Sequence, residues 1–170
     1  MDTKVLVTYA TKCGSTSEVA QRIAEVLCEG GITADVRPVK DVTSLEGYQA
    51  VVIGSAIRMG AWLPEATKFV QTHQTALIHM PTAYFFLGAF IRNRTPETQA
   101  QADAYLTPVR AFVEPVRIGQ FAGKMDFKKL SWIDRQITKM VKGVEGDFRD
   151  WDAITAWAAD LRNVGFSSKN

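Results

Sequence analysis

One junction constrains this chain more than any other stretch. Residues 4–8 (KVLVT) make a short apolar strand, and from Val19 the apolar side chains fall at Val19, Ile23, Val26 and Leu27, one face of a helix. Between them runs a hydroxyl-rich turn with a single glycine, Gly14. Ser15 and Glu18 have capping-box spacing, and Gly30-Gly31 supplies the stop. A strand that feeds a helix N-terminus in this way presents unpaired backbone N–H groups and the positive end of the helix dipole, a natural seat for an anion. Thr11, Ser15 and Thr16 add hydroxyl donors, which suits a phosphate.

Several phosphate-binding motifs are excluded by the residues present. The triphosphate loop GxxxxGK[ST] is absent, and Lys12 precedes the glycine instead of following it. The dinucleotide fingerprint GxGxxG is absent too. A receiver domain would carry acidic residues where the first strand ends. A tyrosine-phosphatase loop opened by Cys13 would need arginine at position 19, which is Val19. The pattern T-x-x-G-x-T (Thr11, Gly14, Thr16) resembles the FMN-phosphate loop of the flavodoxin superfamily, which holds the phosphate with amides and hydroxyls and needs no lysine. An ordinary turn with a good N-cap would also produce it.

Length and composition set the class. At 170 residues the chain is expected to form one domain spanning 1–170, able to bury roughly 70% of its unfolded surface. A net charge of +2 gives no argument for nucleic acid, and it is unlike a strongly acidic electron carrier that docks through a negative face. Cys13 and Cys28 fall at opposite ends of the first helix and cannot pair without breaking it, so a reduced, cytoplasmic setting is expected. No signal peptide is visible, and the longest apolar run, 83–91, is far short of a membrane span.

Strand and helix patterns alternate along the chain, the signature of a parallel sheet covered on both faces. Residues 33–39 read as an edge strand because of Pro38, 50–55 (AVVIGS) as a central strand, 82–87 as the fourth and 116–123 as the fifth. Pro64 opens a helix with Ala66, Phe69, Val70 and His73 on one face. Thr95-Pro96 opens another, with Ala102, Tyr105, Leu106, Val109 and Phe112 facing the core and a kink expected at Pro108. Trp151, Ile154, Ala158 and Leu161 mark a closing helix capped by Asp150 or Asp147. The expected fold is an α/β three-layer sandwich around a five-stranded parallel sheet of order 2-1-3-4-5.

In such a sheet the loops after strands one, three and four converge on one site. The loop after strand three holds Ala56, Ile57, Arg58, Met59, Gly60 and Trp62, and the loop after strand four holds Leu87, Gly88 and Ala89. Met59 and Trp62 suit a wall for an isoalloxazine ring, while Gly60 and Gly88 allow close backbone approach. Arg58 would place positive charge near a reduced, anionic flavin. Trp62 is equally suited to packing on the next helix, and Arg58 to pairing with a surface carboxylate. Cys13 at a helix N-terminus has thiolate character but fits the phosphate loop better than a nucleophile's role. His73 and His79 have no visible partners, so neither a metal site nor a catalytic triad is expected.

Together these segments resemble the flavodoxin-domain family that includes the quinone-dependent protoporphyrinogen IX dehydrogenases. The resemblance is carried by YATKCGSTSEVA, VVIGSAIRMG, RTPETQ, FAGKMDF and SWIDRQITKMVKGVEGDFRDW, spread over nearly the whole chain. It implies that Thr11, Lys12, Cys13, Gly14, Ser15 and Thr16 hold an FMN phosphate. It also implies that residues 56–60 and 87–89 line the ring. Two departures stand out: Cys13 sits where a hydroxyl or acidic residue is common, and the stretch between Phe90 and Thr95 is short.

Between the fifth strand and the last helix lies a helical insertion, about 124–146, that simple flavodoxins lack. Lys124, Lys128, Lys129, Arg135, Lys139 and Lys142 oppose only Asp126 and Asp134 over 124–142, and Leu130, Ile133, Ile137, Met140 and Val141 make an apolar stripe. Such a helix suits peripheral contact with the inner face of an anionic membrane, a wall for an anionic apolar substrate, or plain packing on the sheet. The function implied by the resemblance is an FMN oxidoreductase passing electrons from a reduced substrate such as protoporphyrinogen IX, in heme biosynthesis, to a quinone. An electron carrier between proteins and a non-catalytic FMN-binding module are the alternatives. No side chain stands out as a catalytic acid or base, so the chemistry would be flavin-borne.

Overall fold

Alternate side chains of the first strand go to opposite layers, as a pleated strand between two helical layers requires. Val5 and Val7 join one buried cluster, and Leu6 and Ala10 join the other. The structure, a computed structural model, describes residues 3–12, 14–88, 95–125, 136 and 146–167. Its strands are β1 (Lys4–Ala10), β2 (Thr33–Pro38), β3 (Ala50–Arg58), β4 (Ala61–Trp62), β5 (Thr82–Leu87) and β6 (Arg117–Phe121). The parallel strands run β2-β1-β3-β5-β6, which is the expected 2-1-3-4-5 order, with Pro38 on the edge strand.

Helix α1 (Ser15–Glu29) and helix α5 (Trp151–Asp160) pack together on one face of the sheet. Helix α2 (Pro64–Thr72) and helix α4 (Pro96–Phe112) cover the other, with a short α3 (Gln74–Leu77) beyond α2. The first layer closes over Val19, Ile23, Leu27, Ile154 and Phe166, and the second over Ala66, Val70, Leu106 and Val109. Between β5 and α4, the Tyr84 hydroxyl donates to the Val113 carbonyl at 2.6 Å, which ties the end of that helix to the sheet.

Several local expectations are corrected. The start of α1 is not a Ser15–Glu18 capping box. Gly14 is the N-cap at φ 86° with no side-chain cap, because the chain turns into the helix through the left-handed region that glycine tolerates. A capping box does form at α4, where the Thr95 hydroxyl accepts from the Thr98 N–H at 3.2 Å and the Thr98 hydroxyl accepts from the Thr95 N–H at 2.8 Å. Helix α4 continues through Pro108 to Phe112. Asp150, and not Asp147, caps α5. Trp151 is exposed at the start of α5 while Ile154, Ala158 and Leu161 enter the core. Strand β3 runs on to Arg58 because β4 folds back against Ile57 and Arg58 as an antiparallel partner.

The basic helical stripe expected over 124–142 lies almost wholly outside the described residues; Lys124 and Met125 at its start form a strand, and Gln136 is helical and exposed. Its boundaries are visible. Strand β7 (Lys124–Met125) pairs antiparallel with β8 (Gly146–Asp147), so the two ends of the insertion leave the fold side by side.

Candidate functional site

The carboxyl ends of β1, β3 and β5 lie at one edge of the sheet: Ala10 is in register with Ser55, and Ala56 with Leu87. The order in which strands are added reverses between β1 and β3, and α1 begins there. The Thr11 hydroxyl accepts from the Gly14 N–H at 3.0 Å, and the Ser17 hydroxyl donates to the Gly14 carbonyl at 2.6 Å. These contacts shape the loop and leave the first-turn amides of Ser15, Thr16 and Ser17 without a capping side chain. Thr16 is fully buried, and its hydroxyl has no partner among the described residues. A buried hydroxyl beside unengaged helix-start amides is the donor set a phosphate requires. Lys12 pairs with Glu65 on α2 at 3.7 Å, so its ammonium is already tied across the loop. Cys13 and Ala89 lie outside the described residues.

The loop after β3 is a two-residue hairpin whose tip is Met59-Gly60, at φ 52° and 76°. Both tip residues are left-handed, as a hairpin turn matched to strand twist requires. Met59 is a rare non-glycine in this region, and its side chain is 80% exposed. Arg58 is exposed beside it. Trp62 departs from the expected ring wall. It is 4% exposed and meets Tyr84 edge to face at 5.2 Å, so it supports the hairpin from the core side, and the apolar surface on offer is Met59. Ser55 fixes the base of this loop, accepting from the Leu63 N–H at 2.9 Å and donating to the Ala56 carbonyl at 2.8 Å.

The third loop is held at its root. The Gly88 N–H donates to the Phe121 carbonyl at 3.1 Å, and a Cβ on Gly123 would come within 3.6 Å of Leu87 and 3.9 Å of the Gly88 nitrogen. The insertion therefore starts against the 87–88 loop. Its return strand is anchored at the opposite end of the site. Arg149 donates through Nε and Nη2 to Asp147 at 2.9 and 2.7 Å, and through Nη1 to Glu18 in the first turn of α1. The hydrogen bonds from Arg149 hold the Asp147 carboxyl down at about 2, so it is ionised at neutral pH.

His73 stacks near Phe69, with ring centroids 4.5 Å apart, and burial lowers its pKa.

The flavodoxin domain family matches residues 6–152. The chain belongs to the flavodoxin domain family. Across its length it is 30% identical to protoporphyrinogen IX dehydrogenase [quinone] of Escherichia coli strain K12, over 95% of this chain and 96% of that one. The protein of the same name from Leishmania major is 28% identical over 93% of this chain and 74% of that one. Among solved structures, the Streptococcus pneumonia TIGR4 flavodoxin superposes with a TM-score of 0.61 at 13% identity, covering 95% of this chain and 99% of that one. Membership implies a flavodoxin-type redox role and flavin binding. The amides, the orphaned Thr16 hydroxyl and the exposed Met59 hairpin fit such a group.

Sequence patterns missed two features here. The Arg149 clamp lies in DFRDW, where alternating charge flags a polar cluster but not its partner on α1. The hydroxyl of Thr8, buried in β1 without a partner, was hidden in an otherwise apolar strand. No helix among the described residues is long and apolar enough to cross a membrane.

Proposed function

We propose that the protein is an FMN-dependent oxidoreductase that oxidises a reduced porphyrinogen, with protoporphyrinogen IX the leading candidate, and reduces a quinone. The observation that carries the cofactor assignment is the start of α1, with its unengaged amides and the orphaned Thr16 hydroxyl at the strand switch. The two relatives support the choice of substrate and acceptor.

Thr11, Lys12, Cys13, Gly14, Ser15 and Thr16 hold the phosphate, chiefly through amides and hydroxyls. Residues 56–60 and Leu87, Gly88 and Ala89 line the ring, with Met59 as its apolar face and Arg58 supplying positive charge nearby. Bound FMN supplies the electron-transfer chemistry. The protein positions it, keeps water from its apolar side and sets the charge around it.

The insertion begins beside Gly88 and its return strand is tied to Glu18 through Arg149, so both of its ends lie at this edge, and it contributes the substrate or partner contacts. Its basic residues suit the carboxylates of a porphyrin or an anionic surface on the inner side of a membrane. A single domain over 1–170 in the cytoplasm completes the proposal.

The test is anaerobic turnover of the FMN-loaded protein with protoporphyrinogen IX and a soluble quinone, following porphyrin fluorescence. Porphyrin formation that depends on both FMN and quinone is expected. A protein that binds FMN and exchanges electrons with a flavodoxin reductase, but forms no porphyrin, would instead be an electron carrier.

A further inference from the structure

Arg149 is the most enclosed charged side chain around the site. It is 4% exposed, against 49% for Glu18 and 42% for Asp147. Its guanidinium engages Asp147 with two nitrogens and Glu18 with the third, and it lies over the Trp151 ring at 4.7 Å. The Arg149 N–H also donates to Asp147 at 3.2 Å. One element of this cluster, β8, closes the insertion; another, α5, packs on α1; the third is the first turn of α1.

Glu18 poses a problem for an anion seat. An acidic residue in the first turn stabilises the helix dipole when nothing is bound. A phosphate dianion placed on the same turn meets a like charge, and the two repel. Arg149 answers it by setting a rigid cation against Glu18. Its planar fork and stacking on Trp151 keep it from turning toward solvent.

We propose that Arg149 is a positioning residue for the flavin phosphate. It neutralises Glu18 at the start of α1 and clips the return strand of the insertion onto that turn. The inference rests on the FMN assignment above. It predicts selectivity for the phosphorylated flavin: losing Arg149 removes the cation that Glu18 and Asp147 share and leaves the ring contacts intact.

The experiment compares FMN and riboflavin binding to apoprotein by quenching of flavin fluorescence, in low salt. Arg149→Met is expected to weaken FMN binding by about 10-fold and leave riboflavin binding within about 2-fold, with the FMN defect shrinking as salt screens the carboxylates. Adding Glu18→Gln to that variant is expected to restore most of the FMN affinity. Parallel loss of both ligands would make Arg149 a merely structural residue and overturn the proposal, as would unchanged binding of both. Should Arg149→Met fail to fold, Glu18→Gln in the parent reads the same charge: FMN binding is expected to hold or to tighten by up to about 3-fold with riboflavin binding unchanged, and weaker FMN binding would overturn the proposal. A parent protein that binds neither flavin would remove the FMN assignment itself, an outcome distinct from every variant effect.

Discussion

A Gly54→Ala variant is expected to melt about 6–12 °C below the parent protein, a loss of about 3 kcal/mol at the upper end of overpacking effects. Gly54 lies in β3, the central strand, and is in register with Phe85 on β5. A Cβ at this position would come within 2.0, 2.2 and 2.5 Å of three atoms of the Phe85 ring. The ring has nowhere to retreat. Phe85 is fully buried, and Trp157 from α5 meets it edge to face at 6.3 Å. Even one methyl group therefore has to push apart the sheet and the α1–α5 layer. Combining Gly54→Ala with Phe85→Leu should recover part of the loss, since the smaller side chain vacates the ring's place. Thermal denaturation followed by circular dichroism reads both variants. A melting temperature unchanged by Gly54→Ala would mean that Phe85 does not lie across this glycine.

The second large effect is on binding, with the fold held constant. Thr16→Val is expected to weaken FMN binding by about 10- to 100-fold, the range for losing one hydrogen bond to a charged group. The same variant should be as stable as the parent or slightly more so. The Thr16 hydroxyl is buried without a partner among the described residues, so valine fills the same volume and removes an unsatisfied polar atom. Few substitutions separate binding from stability so cleanly. Titration calorimetry with FMN and thermal melting of the apoprotein measure the two quantities. Unchanged FMN affinity would exclude Thr16 from the phosphate seat.

Much of the architecture was legible because it rests on period and punctuation. The apolar runs of β1, β3 and β5 are fully buried strands and could not be mistaken for amphipathic helices at their lengths. Pro38, Pro64 and Gly30 acted at the edge strand, the first turn of α2 and the end of α1, where their backbone chemistry places them. Tertiary contacts overrode local signals elsewhere. Ser15 and Glu18 had the spacing of a capping box, yet Glu18 is drawn to Arg149, 131 positions away, and Gly14 takes the N-cap. Trp62 lies among site residues in sequence, but β4 turns its ring inward onto Tyr84. The hairpin itself was hidden because Met59-Gly60 lacks the Asn-Gly or Asp-Gly signature that usually announces such a turn. Binding loops of this kind are set by long-range register, which a local pattern does not carry.

The central claim is that the start of α1 and the two neighbouring loops hold FMN. The visible absorption spectrum of the purified protein, with the released ligand identified by mass spectrometry, tests it most directly. The account predicts flavin absorption bands in the protein as purified or after incubation with FMN, and FMN as the molecule released on denaturation. A colourless protein that also takes up no added FMN would contradict it, and the anion seat at Thr11, Ser15 and Thr16 would then belong to a different phosphate.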